Sequence, residues 1–254
     1  MRDFSSQNPT QRFSDRATDY ARYRPSYPAT AIDWILDRLG DPTKLYVADI
    51  GAGTGISSRL LAERGARIMA IEPNVQMSST ATVHERISFH EGTAEDTRLS
   101  DASIDVVTAF QAFHWFSVHA AMREFSRILR PGGRFAAAWN NRDASDRFTA
   151  LYSEIISESS SEALFMHRNK ITPPHHMLRD FGFTNALRAE FPYAHPLNRE
   201  GLLGRARSAS YLPLAGPDYE RIMQRLEASY LQYADSDGLV SFRYRTVVYR
   251  ADRP

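Results

Sequence analysis

The stretch Asp49-Ile50-Gly51-Ala52-Gly53-Thr54-Gly55 follows the apolar run Leu45–Ala48 and precedes Ile56-Ser57-Ser58-Arg59-Leu60-Leu61. Three glycines in five residues, where a strand hands over to a helix, make a turn whose backbone a ligand can approach, because a Cβ there would fill the ligand's space. The G-x-G-x-x-G dinucleotide pattern needs a glycine at the position of Ile56, and a phosphate-binding loop needs a Lys-Ser/Thr pair that Ile56–Arg59 do not supply. Glu72 closes the next apolar run, Arg67–Ile71. A carboxylate at that point can accept hydrogen bonds from both hydroxyls of a ribose. Turn and carboxylate together indicate a nucleoside-containing ligand.

A second group is Gln111-Ala112-Phe113-His114-Trp115-Phe116. Its three large aromatic residues suit core packing as well as a dry pocket. His114 reads in three ways: a hydrogen-bonded structural histidine, a group lining the substrate, or a general base titrating near neutral pH. Arg199, Arg205 and Arg207, close to Ser208, Ser210 and Tyr211, either bind a carboxylate substrate or form a solvated helix face. Arg243 and Arg245 carry the same pair of readings. No third ligand stands at a metal-binding distance in sequence from His175-His176, so no metal is expected. His195, ahead of Pro196, lies in a loop-like stretch and carries no interpretable signal.

The elements that must position these groups alternate. Residues 29–39 carry a helical stripe, 45–50 a buried strand, 56–64 a helix stopped by Gly65, and 67–73 a second strand. A short helix near residues 74–83, strands at 87–92 and 103–110, an amphipathic helix at 118–129 stopped by Pro131-Gly132-Gly133, and a strand at 134–140 follow. Such βαβ rhythm predicts an α/β fold: a doubly wound, mostly parallel sheet covered on both faces. After Asn141 come a helical stripe at 148–156, a short helix ended by Gly182, a strand over 186–193, an irregular stretch 197–216, a late helix with Tyr219 to Tyr230 on one face, and an alternating strand from Leu239 expected at an antiparallel sheet edge. The division expected is an N-terminal lid segment at 1–28, a cofactor-binding core at 29–141, and further core elements with a helical lid insertion at 142–254.

The chain has 254 residues, 31 basic and 30 acidic, for a net charge of +1. That balance gives no electrostatic reason to expect nucleic acid or an anionic membrane as partner. The absence of cysteine excludes disulfides, thiolate nucleophiles and cysteine-ligated zinc. The polar start Met1–Arg16 lacks the apolar core of a signal peptide, and no apolar run reaches the ~18 residues of a membrane span, so a cytoplasmic protein is expected.

Val47–Gly55, Ile68–Met77, His90–Asp96 and Ala109–Phe116, taken in order, resemble the class I S-adenosylmethionine-dependent methyltransferases. Residues 13–28, with Tyr20 ahead of Arg24-Pro25-Ser26-Tyr27-Pro28, are similar to the small-molecule group around the trans-aconitate methyltransferases. The resemblance covers about 13–141 and implies S-adenosylmethionine as cofactor. It implies Asp49, Gly51, Ala52, Gly53 and Gly55 against the methionine part, Glu72 and Pro73 at the ribose, Met77 on the adenine, and Thr93, Ala94 and Glu95 at the adenine edge. Gln111, Ala112 and Phe113 would lie beside the sulfonium, with Tyr20 and Arg24 closing over the site and Arg24 binding the cofactor carboxylate. Tyr23, His114, Trp115, Arg205, Arg207 and Tyr211 are the substrate-binding candidates, and His114 the candidate base. A small-molecule acceptor is implied, most simply an oxygen such as a carboxylate or hydroxyl, of which the carboxylate is ionised at neutral pH and needs no base; N- or C-methylation is the alternative. A nicotinamide oxidoreductase and a non-catalytic cofactor-binding protein are rival readings, the first disfavoured by Ile56. The acceptor's identity and the oligomeric state are not written in the sequence.

Overall fold

Alternate residues of one strand show how the sheet is dressed. In β1 (Tyr46–Ile50), Ala48 and Ile50 enter one apolar cluster and Val47 the opposite one, each fully or almost fully buried. Both faces are therefore covered, as a parallel sheet requires. The other strands are β2 (Arg67–Ile71), β3 (Ile87–His90), β4 (Ile104–Phe110), β5 (Leu129–Arg142), β6 (Thr184–Leu197) and β7 (Val240–Asp252). The helices are α1 (Ala29–Leu36), α2 (Ile56–Ala62), α3 (Val75–Ser79), α4 (Val118–Ile128), α5 (Arg147–Ser157), α6 (His175–Asp180), α7 (Arg199–Arg207) and α8 (Pro217–Tyr233). The computed structural model describes residues 21–158, 175–209, 212–213 and 215–254; Tyr20, Ser210 and Tyr211 lie outside them.

The seven strands run in the order β3-β2-β1-β4-β5-β7-β6. β3, β2, β1, β4 and β5 pair in parallel, and β7 is antiparallel to both of its neighbours. This is the predicted Rossmann-like sheet. Its order reverses between β1 and β4, and the crevice outside their carboxyl ends is the usual ligand position. On one face α4 packs Ala121, Met122, Phe125 and Ile128 against Phe135, Ala137 and Trp139 of β5. On the other, α1 and α2 bury Ile32, Ile35 and Leu61 against Val47 and Ala136.

A third apolar cluster unites α5, α7 and α8 with one end of β7, through Tyr152, Leu202, Ala206, Ile222, Leu226 and Phe242. Side-chain caps start two of these helices: Asp146 Oδ2 accepts from Thr149 N–H (2.9 Å), and Asn198 Oδ1 from Gly201 N–H (2.8 Å).

Three expectations about the C-terminal part need correction. The terminal strand lies inside the sheet, because β6 adds to its far side and becomes the edge. β6 runs from Thr184 to Leu197, longer than predicted, and contains His195. Part of the stretch read as irregular is helix α7.

Candidate active site

The glycine turn sits at the β1/β4 switch point. Gly51, Gly53 and Gly55 have φ of 68°, 59° and 78°, the left-handed region that favours glycine. The Gly51 and Ala52 N–H groups both donate to Ile71 O, at 2.8 and 3.2 Å. A Cβ on Gly51 would lie 2.6 Å from Ala112 Cβ, so the turn and the segment after β4 fit only without a side chain there. Gly55 then caps α2.

Asp49 supports this turn from below. Fully buried, its Oδ2 accepts from Ser57 Oγ (2.7 Å) and Ser58 Oγ (2.6 Å), and its Oδ1 from Thr108 Oγ1 (2.8 Å). Burial pushes its carboxyl above the ordinary value, and the three hydroxyls oppose that rise. Asp49 thus ties β1 to α2 and β4; its place is beneath the turn, not on the ligand side implied by the resemblance.

Glu72, at the end of β2, stands beside the turn. Its Oε2 accepts from Gly53 N–H (2.8 Å) and its Oε1 from Asn74 N–H (2.9 Å), leaving each oxygen a lone pair. Burial raises its carboxyl first; the two backbone donors pull it down. Asn74 caps α3, accepting from Gln76 and Met77 N–H, and so fixes Met77, which is buried with its methyl group toward Gly53. Glu95 Oε1 accepts from Ser117 N–H (2.7 Å), just ahead of α4, and Ala94 is buried in the core. Thr93 and Asp96 close the loop after β3 by reciprocal hydrogen bonds.

A cleft runs along the turn. Of the predicted residues it brings together Gly51, Ala52, Gly53, Arg24, Gln111 and Arg205, and it adds Tyr27, Thr54 and Tyr244. Arg24 Nη2 donates to Ser208 O (2.9 Å), and Arg205 Nε to Tyr244 Oη (3.3 Å). Gln111 has φ 53° and donates through Nε2 to Asn140 O (3.3 Å); Asn140 also holds Ser26 O and Thr246 Oγ1. The cleft suits a ligand with a polar end. Thr54, 5% exposed in its wall, keeps a buried hydroxyl with no hydrogen-bond partner among the described residues.

Other predicted residues serve elsewhere. Phe113 is fully buried against Phe116, Phe135 and Trp139, so it belongs to the core and not beside a sulfonium. Tyr23 straps the N-terminal arm to α7: its hydroxyl donates to Glu200 Oε1 (2.7 Å), and its ring fills the place a Cβ on Gly204 would need. Trp115 flanks His114, ring centroids 5.0 Å apart. Arg207, on the last turn of α7, acts electrostatically on Tyr23 and Glu200.

His114 is 6% exposed, and Trp139 Nε1 donates to its Nδ1 at 3.4 Å. An indole nitrogen is a donor only. Nδ1 therefore carries the lone pair, and the proton of the neutral ring sits on Nε2. In this tautomer His114 carries an N–H at Nε2, and the lone pair of its Nδ1 faces the Trp139 indole.

Sequence reasoning missed Thr54 and Tyr244. Thr54 lay inside the motif but was passed over for its glycines.

Among the described residues no helix is long and apolar enough to cross a membrane, and no three His, Asp or Glu residues are grouped to hold a metal ion. The methyltransferase domain family matches residues 48–137, from β1 into β5. An uncharacterized methyltransferase of Mycobacterium tuberculosis is 33% identical over 246 residues, covering 94% of both chains. The structure of a candidate type II methyltransferase from Anaeromyxobacter dehalogenans is similar at 25% identity and TM-score 0.56, over 91% of this chain and 97% of that one. A phosphoethanolamine N-methyltransferase of Haemonchus contortus, in complex with S-adenosylhomocysteine, shares the fold at 16% identity and TM-score 0.56, over all of this chain and 60% of that one. With a glycine turn at the switch point, a carboxylate closing β2 and a relative 33% identical over 94% of both chains, the chain belongs to the class I S-adenosylmethionine-dependent methyltransferases.

Proposed function

We propose that the protein transfers the methyl group of S-adenosylmethionine to an oxygen of a small anionic molecule, a carboxylate in the first instance. The observation that carries this is the charge of the cleft. Among its described lining residues are two guanidiniums, Arg24 and Arg205, and no carboxylate. Arg205 is 5% exposed and reaches the cleft beside Tyr244, and a guanidinium presents a planar fork of donors that matches a carboxylate.

In this proposal Arg24 binds the carboxylate of the cofactor, Glu72 accepts from the ribose hydroxyls with its remaining lone pairs, and Met77 with Ala94 borders the adenine. S-adenosylmethionine, once bound, supplies an electrophilic methyl group. The chain's own part is alignment and exclusion of water. Arg205 and Tyr244 orient the anion, while Tyr27, edge-on to Phe110 at 4.7 Å, keeps the cleft dry. A carboxylate arrives ionised, which agrees with a His114 held as a donor.

The test is a comparison of Arg205→Met with the wild type on a panel of carboxylic acids and uncharged phenols. A rise in KM for the acids alone is expected. Equal loss on acids and phenols would refute the anionic reading.

A further inference from the structure

Arg24–Pro28 of the N-terminal arm form neither helix nor strand, and Pro25 and Pro28 bring no N–H to the stretch. Its backbone polar groups therefore need partners outside any ladder. Arg24, Pro25 and Tyr27 nevertheless wall the cleft together with the glycine turn. Tyr23 and Arg24 tie this stretch to α7, through Glu200 Oε1 (2.7 Å) and Ser208 O (2.9 Å). Its tie to the sheet is a side chain. Asn140 Nδ2 of β5 donates to Ser26 O at 2.9 Å, between the lining residues Pro25 and Tyr27.

This amide is fixed at both ends. A backbone carbonyl only accepts, so the Asn140 atom facing Ser26 O is the NH₂ group. Oδ1 then points to Thr246, its partner across the β5–β7 pairing, and accepts from Thr246 Oγ1 at 2.6 Å. Asn140 is 8% exposed and Thr246 fully buried. An ionised carboxylate or an aliphatic side chain of the same size has no donor for Ser26 O. The backbone of Asn140 serves a second lining residue: its carbonyl accepts from Nε2 of Gln111 (3.3 Å), which is held at φ 53°. Tyr193 of β6 bears on the same point of the arm, since burial raises its phenol and the Ser26 N–H pulls it back.

We propose that Asn140 is a positioning residue for the cofactor: by holding Ser26 it sets Pro25 and Tyr27 against the glycine turn, so that the arm is already in place when S-adenosylmethionine binds. The inference rests on the seating of the cofactor under Arg24 proposed above. Without the amide, Ser26 O loses its partner and the arm keeps its hydrogen bonds to α7. The cofactor must then order Arg24–Tyr27 as it binds, and that ordering lowers its affinity.

The test uses the full chain with Asn140→Leu and Thr246→Val together, since replacing both partners of a buried hydrogen bond by apolar groups of like shape is close to neutral for stability. S-adenosylhomocysteine is titrated by calorimetry, and trypsin cleavage after Arg22 reports release of the arm. Faster cleavage is expected, with a dissociation constant about tenfold higher, the scale of one lost hydrogen bond, and a binding stoichiometry equal to that of the wild type. A merely structural role would lower the stoichiometry, as fewer molecules fold, and leave the dissociation constant in place; that result overturns the inference. Wild-type cleavage with wild-type affinity also overturns it and leaves the seating of the cofactor standing. Faster cleavage at wild-type affinity overturns both. Should the double variant fail to fold, Asn140→Ser takes the same readings, its hydroxyl ending one bond short of the Ser26 contact.

Discussion

Replacing Gly51 with alanine adds one methyl group at the point where β1, β2 and the segment after β4 meet. Two costs follow. At φ 68° an L-residue pays about 1–2 kcal/mol. The new Cβ would also stand 2.6 Å from Ala112 Cβ, so one backbone must yield by about 1 Å to reach ordinary contact near 3.5 Å. Overpacking of that kind costs about 1–3 kcal/mol. Gly132 provides the control, because its φ is 79° and nothing lies within 4 Å of an added Cβ. Gly132→Ala should therefore show the conformational cost alone and leave the cofactor site intact. Urea denaturation of both variants, with calorimetric titration by S-adenosylhomocysteine, separates the two effects. Gly51→Ala is expected to lose about 1–3 kcal/mol more than Gly132→Ala, divided between stability and affinity. If all of it falls on affinity, the dissociation constant rises about 5- to 150-fold. Equal behaviour of the two variants, with wild-type affinity in both, would refute the reasoning.

Glu72→Gln should weaken S-adenosylhomocysteine by about 1.5–3 kcal/mol, the scale of hydrogen bonds to a charged group, read by the same titration. In the wild type, affinity should be flat near neutral pH and fall as the pH drops through the Glu72 value, which burial sets above 4.5. The contribution of this carboxyl to folding has the opposite sign: raised in the folded state, it adds stability as the pH falls. Gly204→Ala would drive a Cβ to 2.3 Å from the Tyr23 ring, so the N-terminal arm should release from α7, seen as faster proteolysis near residue 23 with the core transition preserved. His114→Gln should lower kcat on carboxylates modestly and leave the limbs of the pH–rate profile in place; loss of a limb would make His114 a base after all.

The parallel half of the sheet was legible because its signals are local. Buried strands such as Tyr46–Ile50 and glycine stops such as Gly65 lie within a few residues of what they determine. The order β5-β7-β6 was not, since β7 pairs with strands far away in sequence and its alternation says nothing about which neighbour lies on each side. Helix α7 escaped because Gly201 and Gly204 break its apolar stripe. Gly204 has its reason only in Tyr23, which comes from a distant arm to occupy the missing side chain's place. In the site, the turn and Glu72 were readable from residue type and spacing. The tautomer of His114 was not, because it depends on Trp139 across the sheet face. The contact of Asn140 with Ser26 likewise exists only once the arm meets β5.

The most direct measurement is the fate of a labelled methyl group. The protein would be incubated with methyl-labelled S-adenosylmethionine and a pool of small acids, phenols and amines, and the products treated with mild alkali. Transfer to a carboxylate predicts label released as methanol, and its loss in Arg205→Met. Label that stays in alkali-stable products would contradict carboxylate transfer, placing the methyl group on an ether oxygen, nitrogen or carbon.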